Sequence, residues 1–312
     1  LKILVTGGSG FMGSAFIRHV IKNTNYIVIN IDLLTYASNL KSLEKINKIK
    51  RYSFKKIDIN HRKSIRDILL KFKPNVIIHF AAETHVDNSL KRSDTFIRTN
   101  ILGTYNLISE ARSYWSRLKN ADKDKFIFYH ITTDEVYGDL VFNNKKKFSE
   151  KSPYLPNNPY SASKAASDHL IRAWHHSYGL PVIITHCSNN YGPFQNPEKF
   201  IPKIITRAIQ GKPLTIYGDG KHVRDWLYVE DNAEALLEVL LKGKIGHSYN
   251  IGGNNERTNL SVVKKICKIL KENINNKQKK CNNFIDLIKF IKDRPGHDLR
   301  YALNTNKIRN TI

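Results

Sequence analysis

The chain has 312 residues, 41% of them hydrophobic and 25% charged, which suffices for one large domain or two smaller ones and excludes a globally disordered polypeptide. No apolar run reaches the roughly 20 residues of a membrane helix, so a membrane partner is not expected. The formal net charge of +24 raises nucleic-acid binding or attraction of an anionic nucleotide, but the lysines are scattered, with short clusters only at Lys145-Lys146-Lys147 and Lys277-Gln278-Lys279-Lys280, and no nucleic-acid motif accompanies them.

The chain opens directly in a strand-like run, Lys2–Thr6, without the basic-then-apolar layout of a signal peptide. That strand runs into Gly7-Gly8-Ser9-Gly10-Phe11-Met12-Gly13 and then a helical pattern over 12–22. Glycines spaced as Gly7, Gly10 and Gly13 between a strand and a helix let the backbone turn tightly and approach a pyrophosphate, whose charge meets the helix N-terminus. The second strand, 26–32, ends at Asp32, where a carboxylate suits ribose hydroxyls and would repel a 2′-phosphate. NAD is therefore expected rather than NADP. A third strand, Tyr52–Lys56, is followed by Asp58 and Ile59 beside the adenine position, and then by a helix over Arg62–Phe72. A fourth, 76–81, leads into Phe80-Ala81-Ala82, where small residues admit the dinucleotide backbone. A long helix over 94–118, a strand over 126–132, a helix over 161–178 and a strand over 182–186 complete the alternation.

Strands alternating with helices predict an α/β fold with a doubly wound parallel sheet, a Rossmann NAD-binding domain over 1–188. After about residue 190, Pro193, Pro197, Pro202 and Pro213 punctuate shorter elements. Residues 189–312 read as a smaller, less regular α/β substrate-binding lobe, with parts of 222–250 able to return to the first domain. Within it, 231–241 reads as a helix with Asp231 as its N-cap, and the polar stretch 273–283 as a mobile loop. Cys187, Cys267 and Cys281 are far apart and form no Cys-x-x-Cys, so neither a disulfide framework nor a zinc site is expected, in keeping with a reducing cytoplasm. His79, His130 and His186 fall in apolar strands and read as core residues, and no metal site is expected.

Tyr160 and Lys164 stand four apart in Tyr160-Ser161-Ala162-Ser163-Lys164, hence on one helix face. A nearby ammonium favours a tyrosinate, which can take a hydroxyl proton while hydride leaves for nicotinamide. Thr133, Asp134 and Glu135 follow a strand's carboxyl end, where doubly wound sheets place their ligands. Two adjacent carboxyls can divide acid and base work if their environments separate them, or they can simply favour a helix start.

Together these segments resemble the extended short-chain dehydrogenases that modify nucleotide sugars, and within them the dTDP-glucose 4,6-dehydratase family. The resemblance is carried by Asp32-Leu33-Leu34-Thr35-Tyr36-Ala37-Ser38-Asn39-Leu40, Ala81-Ala82-Glu83-Thr84-His85-Val86-Asp87, Thr133-Asp134-Glu135-Val136-Tyr137-Gly138, Pro159-Tyr160-Ser161-Ala162-Ser163-Lys164, Cys187-Ser188-Asn189-Asn190-Tyr191-Gly192-Pro193, Arg224-Asp225-Trp226-Leu227-Tyr228-Val229-Glu230-Asp231 and Asp293-Arg294-Pro295-Gly296-His297-Asp298. The Asp-Glu pair is its most specific element, because related epimerases lack it.

The resemblance implies NAD contacts at Phe11, Met12, Asp32, Leu33, Leu34, Thr35, Asp58, Ile59, Phe80, Ala81, Ala82, Glu83, Thr84, Thr99, Tyr160, Lys164 and Asn190. It implies substrate contacts at Thr84, Thr133, Asn189, Lys199, Phe200, Thr215, Ile216, Tyr217, Arg224, Asn259, Asp293, Arg294, Pro295, Gly296 and His297. Arg224 would meet the diphosphate, or else form a salt bridge with Asp225 or Glu230. The implied catalytic set is Thr133, Asp134, Glu135, Tyr160 and Lys164, converting dTDP-glucose to its 4-keto-6-deoxy form in deoxysugar biosynthesis. The cofactor is regenerated in each turnover. A homodimer built on the helices 94–118 and 161–178 is implied as well. Ser9 and Met12, and Phe200 and Thr215 near the base pocket, depart from the family's usual residues, and family members continue past the Lys307-Ile308 region with elements that pack on the substrate lobe. Another nucleotide-sugar dehydratase, an epimerase, or a non-catalytic NAD-binding relic are the alternative readings.

Overall fold

The structure, a computed structural model, describes residues 1–141, 145–274, 281 and 283–312. Its main sheet has seven parallel strands: β1 (Lys2–Thr6), β2 (Ile27–Asp32), β3 (Tyr52–Lys56), β4 (Val76–His79), β5 (Ile127–Thr133), β6 (Val182–Cys187) and, much later in the chain, β10 (Ser248–Ile251). The spatial order is β10-β6-β5-β4-β1-β2-β3. The order reverses between β1 and β4, and this switch point is where such sheets open a crevice at their carboxyl ends.

The inner parallel strands are covered on both faces, which is why β1, β4 and β6 are largely apolar rather than alternating, whereas the edge strand β3 is mostly exposed. Ile3, Leu4, Val5, Ile77, Ile78 and Phe128 are essentially inaccessible. One apolar layer lies between the sheet and the helices Phe11–Asn23 and Val229–Lys242. The opposite layer is closed by Arg62–Phe72, Thr104–Trp115 and Pro159–Tyr178. Burying each such large apolar side chain contributes roughly 1.5–3 kcal/mol relative to leaving it exposed.

The remaining strands are β7 (Asn189–Tyr191), β8 (Leu214–Tyr217), β9 (Val223–Tyr228), β11 (Glu256–Thr258) and β12 (Ile288–Ile291). They form a small sheet β11-β9-β7 and a parallel pair β12-β8. The helices Phe200–Ile209 and Asn259–Asn273 pack there around Ile204, Ala208, Leu214, Ile216, Val263 and Phe284, a core separate from those of the main sheet. No described helix is long and apolar enough to cross a membrane.

Three expectations need correction. The helix expected over 94–118 is instead Ser93–Phe96, a π-helical segment Ile97–Gly103 and Thr104–Trp115. The wider π turn shifts the helix face and turns Asn100 inward, where its side chain accepts from Glu83 N at 2.8 Å and donates to Ser163 Oγ at 2.8 Å. The helix expected over 231–241 begins at Val229, so Asp231 lies in its first turn beside Glu230 and complements the helix dipole rather than capping it. The fourth strand stops at His79. Phe80 and Ala81 then leave the sheet, still tied to β1 through the carbonyl and the hydroxyl of Thr6. The polar stretch 273–283 falls largely outside the described residues.

Candidate active site

The glycine turn closes over the switch point with no room to spare. Gly7 has φ +67°, and a Cβ there would stand 2.6 Å from Ala81 Cα; one at Gly13 would stand 2.5 Å from the Gly7 carbonyl oxygen. Gly8, which the spacing argument passed over, is packed as closely, its hypothetical Cβ 2.4 Å from Asn30 Oδ1. Gly10 occupies the N-cap of the helix Phe11–Asn23 and offers it no side-chain cap, so the first-turn amides face the turn. A crowded glycine turn opening into an uncapped helix start is a fit for a dinucleotide's pyrophosphate.

Asp32 at the end of β2 accepts from Ser9 N at 2.9 Å, Leu34 N at 2.8 Å and Ser38 Oγ at 2.9 Å. Three of a carboxylate's roughly four acceptor positions are thereby filled, leaving capacity for a ribose hydroxyl. Leu34 is held at φ +61° by this arrangement, a strained conformation for a non-glycine residue and one that collects at ligand sites. Ile59 is buried and rests against Gly103, and Asn190 is buried with Oδ1 unpartnered while Nδ2 donates to Ser188 O at 2.9 Å.

The reactive groups meet at the carboxyl end of β5. Thr133 passes into a 3-10 turn, Asp134–Tyr137, and its hydroxyl accepts from Glu135 N and donates to Asp134 Oδ1, both at 3.3 Å. Thr133 is thus the cap of this turn, and the acidic side chains are free for other work. Asp134 is buried with Oδ2 unpartnered. Burial first, then the charges of Glu135 and Asp225, pushes its carboxyl well above the usual range, which favours its protonated form. Burial also raises Glu135, while Arg294, Arg224 and Lys199 pull it back toward ionisation. Two adjacent carboxyls are thereby given different proton affinities.

The helix Pro159–Tyr178 brings the second half of the set. Asn158 and Ser161 form a reciprocal capping box, Pro159 fits the first turn and Gly179 ends the helix at φ +70°. Tyr160 and Lys164 sit one turn apart on its inward face, both buried. Lys164 Nζ donates to Ile131 O at 2.9 Å. Burial pushes this ammonium down to about 8, against the support of Asp168. Burial and the nearby Glu135 raise the Tyr160 phenol, and a hydrogen bond with Thr133 works the other way.

Residues of the later part of the chain face this cluster. Lys199 Nζ donates to Thr84 O at 2.8 Å, Arg294 Nη1 meets Asp87 Oδ1 at 3.1 Å and Tyr217 OH donates to Asp87 Oδ2 at 3.1 Å. Arg294 Nε is buried without a partner, a donor waiting for an acceptor. Arg224 makes no salt bridge with Asp225 or Glu230. Its guanidinium donates to the carbonyls of Val223, Leu299 and Asp298 and lies 4.4 Å from the Tyr301 ring. Phe200 stacks on Trp226 at 6.2 Å. Ile216 departs from expectation: on β8 it alternates with Thr215 and Tyr217, and its side chain lies in the lobe core, so only its backbone can reach a ligand. Among the residues the sequence reading left out, Tyr301 stands out. Its hydroxyl donates to Asp298 and lies 3.4 Å from Glu135 Oε2.

Residues 4–312 match the model of a family described as GDP-mannose 4,6 dehydratase. The chain is 54% identical over 308 residues to dTDP-glucose 4,6-dehydratase of Haemophilus influenzae, covering 99% of this chain and 91% of that protein. Its fold matches DesIV, the dTDP-glucose 4,6-dehydratase of Streptomyces venezuelae solved with NAD and TYD bound, at a TM-score of 0.89 and 37% identity over 99% of this chain and 90% of that one. It matches dTDP-glucose 4,6-dehydratase of Bacillus anthracis, solved with NAD, at a TM-score of 0.84 and 40% identity over 100% of this chain and 90% of that one.

Proposed function

The chain belongs to the GDP-mannose 4,6 dehydratase family, and we infer that it is an NAD-dependent hydro-lyase that converts dTDP-glucose to dTDP-4-keto-6-deoxyglucose. The observation that carries this reading is the pair of adjacent carboxyls, Asp134 and Glu135, set beside Tyr160 with unequal proton affinities. An epimerase has no use for such a pair, and neither has a relic.

Gly7, Gly10, Phe11, Met12 and Gly13 would hold the NAD pyrophosphate and Asp32 a ribose. Bound there, NAD would supply reversible hydride acceptance for the carbons C4 and C6. The chain's own residues handle the protons. Tyr160, positioned by Thr133 and Lys164, takes the C4 hydroxyl proton. The resulting C4 ketone acidifies C5, and Glu135 removes that proton. Asp134, protonated, donates to the departing C6 hydroxyl, so water leaves, and Glu135 returns its proton to C5. Arg224, Arg294 and Asn259 bind the diphosphate end, with Phe200 and Trp226 near the base.

We assign 1–188 to cofactor binding and 189–312 to the nucleotide sugar, except for the helix Val229–Lys242 and β10, which pack with the first domain. Cys187, Cys267 and Cys281 are free thiols, which supports a cytoplasmic enzyme. Incubating the purified chain with dTDP-glucose and no added reductant should yield the 4-keto-6-deoxy product. Absence of product from a folded, NAD-bound chain would refute the reading. A homodimer is proposed on the exposed apolar residues Leu90, Ile97, Leu102, Tyr105 and Tyr178 of the helical face. Sedimentation should show a dimer, and a monomer at every working concentration would exclude it.

A further inference from the structure

A pair of stacked histidines at the diphosphate end has no role in the chemistry above. The His222 and His297 rings lie parallel, 3.8 Å between centroids and 15° between planes. Both point a nitrogen at Asp293: His297 Nδ1 is 2.6 Å from Oδ1 and His222 Nε2 is 3.1 Å from Oδ2. Both rings are almost fully buried. His222 makes no well-aligned hydrogen bond through either nitrogen. One ligand atom from each of the three residues lies within 4.8 Å of the others, and with both rings turned to one carboxylate the trio can share a proton.

The charged and titratable groups facing the pair are Asp293, Arg224, Arg294 and Asp219, with Tyr217 and its partner Asp87 behind. Asp219 is itself paired with Lys221 at 2.9 Å. Burial and the two guanidiniums disfavour a further positive charge on the rings, and His297 is pushed down to about 3. Arg294, with its unpartnered Nε, and Arg224 are also the groups that would meet a diphosphate. An anion that neutralises them removes their opposition to a charge on the rings; burial still opposes it, and the Asp293 carboxylate remains to stabilise an imidazolium.

We propose that the His222–Asp293–His297 cluster takes up a proton when the diphosphate of a nucleotide sugar binds beside Arg224 and Arg294. The proposal rests on the nucleotide-sugar reading above. Because the bound state holds the extra proton, affinity should strengthen as pH falls and weaken as it rises, by at most about tenfold per pH unit for one proton.

Titration calorimetry of the intact NAD-loaded chain tests this, with the phenyl ester of dTDP as ligand. That ester cannot react, and its diphosphate has no group titrating near neutral pH. Repeating the titration in buffers of different ionisation enthalpy reads the protons taken up. The wild-type chain should bind with net uptake, and His222→Gln should bind within a few fold while losing most of the uptake. Binding by the wild type with no uptake would overturn the role of the pair while leaving the nucleotide reading intact. Equal uptake in His222→Gln would likewise overturn it. No binding at all would refute the nucleotide reading and this inference with it.

Discussion

Replacing Glu135 by Gln is expected to lower turnover of dTDP-glucose by about 10²–10⁴-fold, the usual worth of a positioned general base, without loss of the fold. Gln keeps the shape and the hydrogen-bonding reach of the side chain but has no proton affinity to offer C5. The location explains why the carboxylate matters. Burial raises its proton affinity, as suits a base, while Arg294, Arg224 and Lys199 pull it back toward ionisation. Oxidation at C4 precedes the step that Glu135 serves, so the variant should still oxidise the substrate and then stall. A single-turnover experiment reads this directly: the near-ultraviolet absorbance of reduced nicotinamide should build up and persist, with no 4-keto-6-deoxy product. Product at the wild-type rate would remove Glu135 from the mechanism. Loss of the absorbance as well as the product would place its role before oxidation.

Much of this site is legible in the sequence for physical reasons that apply locally. A parallel sheet covered on both faces demands continuous apolar runs, so β1, β4 and β6 announce themselves. The glycine turn is readable because a strand, a crowded turn and a helix start must follow one another within a dozen residues. Tyr160 and Lys164 are readable because a helix of fixed pitch brings positions four apart together, and Asn158 and Gly179 mark where that helix begins and ends.

What stays hidden depends on distant packing. The π turn at Ile97–Gly103 changes no composition, yet it is what turns Asn100 toward Glu83 and Ser163. Tyr301 approaches Glu135 from 166 positions away, and no local pattern links a tyrosine late in the chain to an acid at the end of β5. Arg224 invites a salt bridge with its sequence neighbours, but β9 points alternate side chains to opposite faces, and the guanidinium finds the carbonyls of the 298–299 segment instead. The face of Ile216 is fixed by the register of β8 against β12, which becomes visible only when the lobe is assembled.

Tyr160→Phe should be at least as damaging and should fail earlier. The ring packs edge-on against Phe96 at 6.3 Å and beside Val86, so Phe retains these apolar contacts and the fold should persist. Only the hydroxyl is lost, and with it the acceptor for the C4 proton. Turnover should drop by about 10²–10⁴-fold, and reduced nicotinamide should not accumulate, in contrast to Glu135→Gln. The pH dependence gives a second test. A group that works deprotonated gives a rate that rises as pH passes its pKa. Burial is the largest cause holding the Tyr160 phenol high, with the charge of Glu135 next. Removing that charge lowers the phenol's pKa, so the ascending limb of C4 oxidation in Glu135→Gln should move to lower pH than in the wild type. Lys164 acts in the opposite sense: its ammonium favours the phenolate, and Lys164→Met should move the limb upward. Limbs that stay fixed in both variants would mean that another group, and not Tyr160, takes the C4 proton.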